Sequence, residues 1–136
     1  MTRSRELDPR SAGACLVIGL AAAAAGCGSS PAPTVIPVPT TKPAEACPMA
    51  EMGGRIVASD RWGIAVADQA GRVSRTLWPW GFHGVMTGAQ VALVDGAVRL
   101  VAHVGDGFTS GGGFVGQNGD PDHTMQICGE IRVSAQ

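Results

Sequence analysis

Between Gln90 and Val104 the chain reads QVALVDGAVRLVAHV, two apolar runs joined by Asp95-Gly96. An Asp-Gly step between short apolar runs is a strong local signal for a β-hairpin with a tight turn. On the second arm, alternation puts Val98, Leu100, Ala102 and Val104 on one face and Arg99, Val101 and His103 on the other. Three further stretches carry the same two-residue period. WGIAVAD aligns Trp62, Ile64 and Val66; GRVSRTL aligns Val73, Arg75 and Leu77; MQICGEIRV sets Ile127, Ile131 and Val133 against Cys128, Glu130 and Arg132. No stretch after residue 46 shows a capped helical period. Five or six short strands broken by turn residues predict an all-β domain, and closure into a barrel removes the edges so small a sheet would expose. The expectation is an OB-like five-stranded barrel, with an SH3-like barrel as the second choice.

The domain so delimited, Cys47 to Gln136, is small enough to need a covalent staple. Cys47 and Cys128 stand near its two ends and are predicted to pair. Closing that loop stabilises the fold by roughly 4 kcal/mol in the chain-entropy model. Because Cys128 alternates away from the apolar set, the bridge is expected at the rim or outside of the barrel, not through its core. Zinc binding by the pair lacks a Cys-x-x-Cys and a suitably spaced histidine.

The N-terminal part reads differently. Arginines at 3, 5 and 10 precede a 15-residue apolar run, Ala12 to Gly26, too short for a lasting membrane span. That is the layout of a secretory signal, and the arginines are not adjacent as a twin-arginine signal requires. The run ends in Ala24-Ala25-Gly26-Cys27, which resembles the lipobox of bacterial lipoproteins, with Ala24 where leucine is usual. The resemblance implies acylation of the Cys27 sulfur and cleavage before it. Residues 1–26 are then a lipoprotein signal peptide. Residues 27–46, with five prolines among small and polar residues, read as an extended linker, and residues 47–136 as the β domain.

Trp78, Trp80 and Phe82 alternate in LWPWGFHG with His83 beside them, and form the candidate surface for stacking a sugar ring or another small ligand. The glycines of VGDGFTSGGGFVG lack the Lys-Ser/Thr and helix of a phosphate loop; they are expected to permit a bend or a close backbone approach. Asp120, Asp122 and His123 could meet a cation but read as a polar loop, so no metal and no cofactor is expected. No catalytic set has positional support. A net charge of −1 with scattered acids and bases argues against nucleic acid as a partner.

WPWG, followed by VGDGFTSGGG and a late Cys-Gly, is similar to a pattern in small uncharacterised secreted proteins and lipoproteins of actinobacteria, with Phe108 where valine is usual. The resemblance implies a small surface β domain and brings no known activity. The chain is thus expected to be an exported, lipid-anchored binding or structural module on the extracytoplasmic face of the cell membrane. The alternatives are a glycan or small-ligand binder through the Trp/Phe cluster, and a hydrolase or metal-dependent enzyme around Asp120, Asp122 and His123.

Overall fold

The computed structural model describes residues 28–43 and 45–134, and every regular element among them is a strand. In chain order these are β1 (Thr34–Ile36), β2 (Ala50–Ser59), β3 (Gly63–Ala67), β4 (Val73–Ser74), β5 (Thr76–Leu77), β6 (His83–Thr87), β7 (Gln90–Val94), β8 (Leu100–His103), β9 (Gly107–Phe114), β10 (Met125–Ile127) and β11 (Arg132–Ser134).

The long strand β2 serves two neighbours. Its first half pairs antiparallel with β9 and its second half with β3, the handover falling at Arg55. Gly53-Gly54 permits the approach this needs: a Cβ on Gly54 would lie 2.5 Å from the Ala67 carbonyl oxygen. The chain then continues through β4 and β5, which are one strand interrupted at Arg75. β4 pairs with β3, while β5 runs parallel to β10. Arg75 makes the switch, its N–H donating to the Asp122 carbonyl and its carbonyl accepting from Met125 N–H. Counting β4 and β5 as one, five strands follow the order β2-β3-β4/β5-β10-β9 and return to β2. A single parallel pair in an otherwise antiparallel, nearly closed ring is the arrangement of an OB-like Greek-key barrel.

Inside lie Ile56, Ile64, Val66, Trp78, Phe108, Met125 and Ile127. The interrupted strand turns the opposite way from expectation. Ser74, Thr76 and Trp78 face inward, while Val73 is exposed. Thr76 can be buried because its hydroxyl is fully used, accepting from Val66 N–H at 3.0 Å and donating to the Ser74 carbonyl at 3.1 Å. The glycine run lies in β9, laddered to β2 on one side and β10 on the other, so its backbone groups are engaged in pairing. A Cβ on Gly112 would collide with the Gln126 carbonyl, which is the close approach anticipated for these glycines.

MQICGEIRV, expected as one strand, is two. β10 is buried on both faces, because Gln126 lies beneath the incoming chain and donates through Nε2 to the Ala46 carbonyl. The chain leaves the ladder at Cys128, and β11 pairs with the other end of β9. Cys47 and Cys128 are half-buried and disulfide-bonded, their Cα atoms 6.1 Å apart, so the bridge does sit at the barrel's rim.

Between β5 and β9 the chain inserts three strands, β6 to β8, which with the N-terminal β1 form a second sheet ordered β1-β6-β7-β8. Its inner side, with Leu93 and Ala102, joins the barrel core. The first strand of this sheet overturns the expected linker boundary. Thr34–Ile36 pairs with β6, and Ile36 packs over Gly63 and Gly84. Beyond it Trp78 N–H donates to the Pro39 carbonyl and Thr41 N–H to the Trp78 carbonyl. The segment is proline-rich but contains Ile36 and Val38, whose half-buried side chains dock it, while Val35 faces outward.

The turn at Asp95 is also longer than expected. Asp95 accepts Val98 N–H on its carbonyl and both Ala97 and Arg99 N–H on its carboxylate, with Val98 left-handed at φ 61°. The same loop occurs twice more. Asp68 holds Ala70 and Arg72 with Gly71 left-handed, and Asp120 holds Asp122 and Thr124 with His123 left-handed. An aspartate at the head of a turn satisfies the amides two and four residues on, which are otherwise unpaired.

Candidate functional site

The alternation in LWPWGFHG places its aromatics on one face only if the strand runs straight through, and it does not. After Leu77 the chain turns over Pro79–Phe82, with Phe82 N–H donating to the Pro79 carbonyl and Gly81 left-handed at φ 86°. Trp78, before the turn, is fully buried and donates through Nε1 to the Ile64 carbonyl at 2.9 Å. It is a core residue and cannot stack on a ligand. Trp80, at the tip, is 64% exposed. Phe82 is half-buried against the core, and His83 is half-buried with Nδ1 3.2 Å from the Gly81 carbonyl oxygen. Of the four expected residues, Trp80 and Phe82 are the ones that geometry offers to a ligand.

The turn at Trp80 does not stand alone. A Cβ on Gly81 would lie 3.1 Å from Gly96 Cα, so this loop abuts the Asp95–Arg99 loop. That second loop and the start of β8 bring Val98 and Leu100, 69% and 59% exposed, to the same end of the inserted sheet. Beside them Phe82, Asp95, Arg99, Leu100, Glu130 and Ile131 line an open cleft of about 420 Å³. Leu100 is outward because the β7–β8 register shifts after Leu93, pairing Val94 with Leu100 but Leu93 with Ala102. That irregularity undoes the expected grouping of Val98 and Leu100 with Ala102.

The cleft's polar side is fixed. Arg99 donates through Nε to Asp95 Oδ2 at 2.8 Å, with its Nη2 2.7 Å from the same oxygen. The Arg99 N–H, then its side chain, and the Ala97 N–H hold the Asp95 carboxyl below its ordinary value. The cleft thus combines apolar side chains with an ion pair, and the exposed Trp80 stands on the turn that abuts the Asp95–Arg99 loop. Such a set suits a ligand with one flat apolar face and hydrogen-bonding edges. Sequence reasoning missed Asp95, Arg99, Leu100, Glu130 and Ile131. The one available signal was that DGAVR at 95–99 repeats the spacing of DQAGR at 68–72, marking a structured loop.

The acidic stretch is built differently. Asp120 heads its loop, its acidity strengthened chiefly by the Thr124 amide, and Asp122 pairs with Arg61 at 2.7 Å. That pair ties the β9–β10 loop to the β2–β3 turn, where the Arg61 guanidinium lies 5.0 Å above the Trp62 ring. Among the described residues no group of three or more His, Cys, Asp or Glu side chains converges as metal ligands do. Cys27 lies outside the described residues.

Fold and site together define a small OB-like barrel with an inserted sheet, a cleft beside the Asp95–Arg99 loop and an exposed Trp80 on the abutting turn. No family model matches the chain, and no curated protein or solved structure does.

Proposed function

We propose that the protein is an exported, lipid-anchored binding module of the cell envelope, and that it takes a glycan or similar small ligand at the end formed by Trp80, Phe82 and the Asp95–Arg99 loop. The observation that supports this most is the exposure of Trp80 on a turn buttressed by a neighbouring loop. A solvated indole contributes little to the fold, whereas a rigidly presented one is a stacking platform. The signal-like N-terminus and Cys27 support the location. The enzyme alternative gains no support at Asp120 and Asp122: both Asp120 oxygens accept loop amides, and Asp122 Oδ1 is engaged by Arg61.

The test is a thermal-shift and tryptophan-fluorescence screen of the purified protein against envelope glycan fragments. A binding fragment raises the melting temperature of the wild type. Trp80→Ala removes that rise and leaves the unliganded melting temperature within about 2–4 °C, since surface changes stay within about 0.5 kcal/mol. Equal ligand responses from wild type and Trp80→Ala would sink the site.

A further inference from the structure

We infer that the β6–β7 end of the inserted sheet is the surface that rests on the lipid bilayer, an inference that stands on the lipid-anchor reading of Cys27. Thr34, the first residue of β1, follows Cys27 by seven positions. Fully extended, that stretch reaches about 25 Å, and in a polyproline-like form about 22 Å. A domain of this size has a radius of gyration of about 13 Å, so the tether is no longer than the barrel is wide. Had residues 27–46 been free linker, the domain could stand well clear of the membrane. With β1 built into the sheet, it lies against it.

Strand register decides which end does so. Thr34 pairs with Met86, one residue before the end of β6, and β6 returns into β7 at Thr87 opposite Gln90. The tether therefore enters beside the Gly88-Ala89 turn. The residues there, Thr34, Thr87, Gly88, Ala89 and Gln90, are exposed and uncharged. Two apolar side chains stand among them, Val35 at 64% exposure and Met86 at 38%. The Gly88-Ala89 turn itself has no charge to strip of water and approaches headgroups without the desolvation penalty that a charged turn meets. The charges at this end of the sheet, Arg55 on the Gly105 carbonyl and Asp106 beside His103, sit on the next connection, from β8 to β9. The opposite end of the same sheet, where His83 pairs with Val94, carries the Asp95–Arg99 loop and Trp80. The tether thus points the candidate cleft away from the lipid.

The test uses the full chain, purified from membranes and reconstituted into phosphatidylethanolamine–phosphatidylglycerol vesicles with brominated acyl chains, which quench indoles near the bilayer. Flotation is measured first, on wild type and Cys27→Ser. Ala89→Trp, or Gln90→Trp should the first variant fold poorly, then reports on the surface. The expected result is flotation that depends on Cys27, loss of the added indole's emission in brominated vesicles, and no loss from the native tryptophans. Inserting a second copy of Gly28–Pro33 into the tether should relieve the quenching. Flotation with an unquenched Ala89→Trp leaves the anchor standing and overturns the surface. Failure of wild type to float overturns the anchor and this inference with it. A concentration-dependent emission shift of Ala89→Trp in detergent alone assigns the end to a second copy of the chain, and overturns the inference too.

Discussion

At the residue scale the most informative side chain is Val98. It is β-branched, left-handed and 69% exposed, a combination that raises the energy of the fold by about 1–3 kcal/mol for little packing gain. The equivalent position of the Asp68 loop is Gly71, where no such strain arises. Val98→Gly is therefore expected to stabilise the protein by about 0.5–1 kcal/mol, the relieved strain less the added chain entropy of glycine. Urea unfolding measures it, and a fall in stability would show that Val98 packs against something. Because Val98 stands beside the Trp80 turn, the same variant should bind a ligand of that end more weakly while folding better. Little of this was legible in the sequence beyond the shared spacing of DGAVR and DQAGR. A strand reading places Val98 on an apolar face, and only the three-residue loop turns it outward. Trp78 and Trp80 make the same point. Two residues apart, they differ completely in fate, because the Pro79–Phe82 turn reverses the chain between them.

At the scale of elements, the barrel strands were legible where one face is apolar and the strand unbroken, as in WGIAVAD. They were not legible where a strand changes partner. Arg75 divides β4 from β5, and burial of Thr76 depends on its hydroxyl accepting from Val66 N–H in β3 and donating to the Ser74 carbonyl. The Asp-headed loops are the elements with a testable titration. Asp68, Asp95 and Asp120 each have their acidity strengthened first by a backbone amide, those of Arg72, Arg99 and Thr124. A carboxyl lowered in the folded state contributes its stability fully above its unfolded value. That contribution is lost as pH falls through the unfolded value of 3.8 towards the lower folded one. The melting temperature should accordingly drop between about pH 5 and pH 3. Replacing Asp68 and Asp95 by Asn keeps the single oxygen that accepts both amides but removes their titration, and should flatten that slope in part. An unchanged slope would assign acid sensitivity to other groups.

At the scale of the whole molecule, the all-β class, the barrel and the Cys47–Cys128 bridge follow from alternation, glycine spacing and cysteine count. The N-terminal strap does not, because its prolines disguise it as linker. Its residues enter the fold at three places: β1 on β6, Ile36 over Gly63 and Gly84, and the Pro39–Trp78–Thr41 hydrogen bonds. A chain begun at Ala46 keeps the disulfide and every barrel strand but loses all three. Removing the apolar contacts of Ile36 and Val38 alone costs about 3 kcal/mol, each such side chain being worth about 1.5–3 when fully buried. Against a total of about 5–15 kcal/mol for a domain, the shortened protein should remain folded in dilute buffer and unfold at clearly lower denaturant. Its tryptophan emission should also shift to the red, since the strap is what pairs with the Trp78 backbone and screens that edge of the barrel. A chain begun at Gly28 should show neither change. Equal midpoints for the two would mean the strap lies on the barrel without holding it. The difference also bears on any binding measurement: the cleft at Trp80 is built on the sheet that β1 completes, so ligand binding should be judged on a protein that retains residues 28–46.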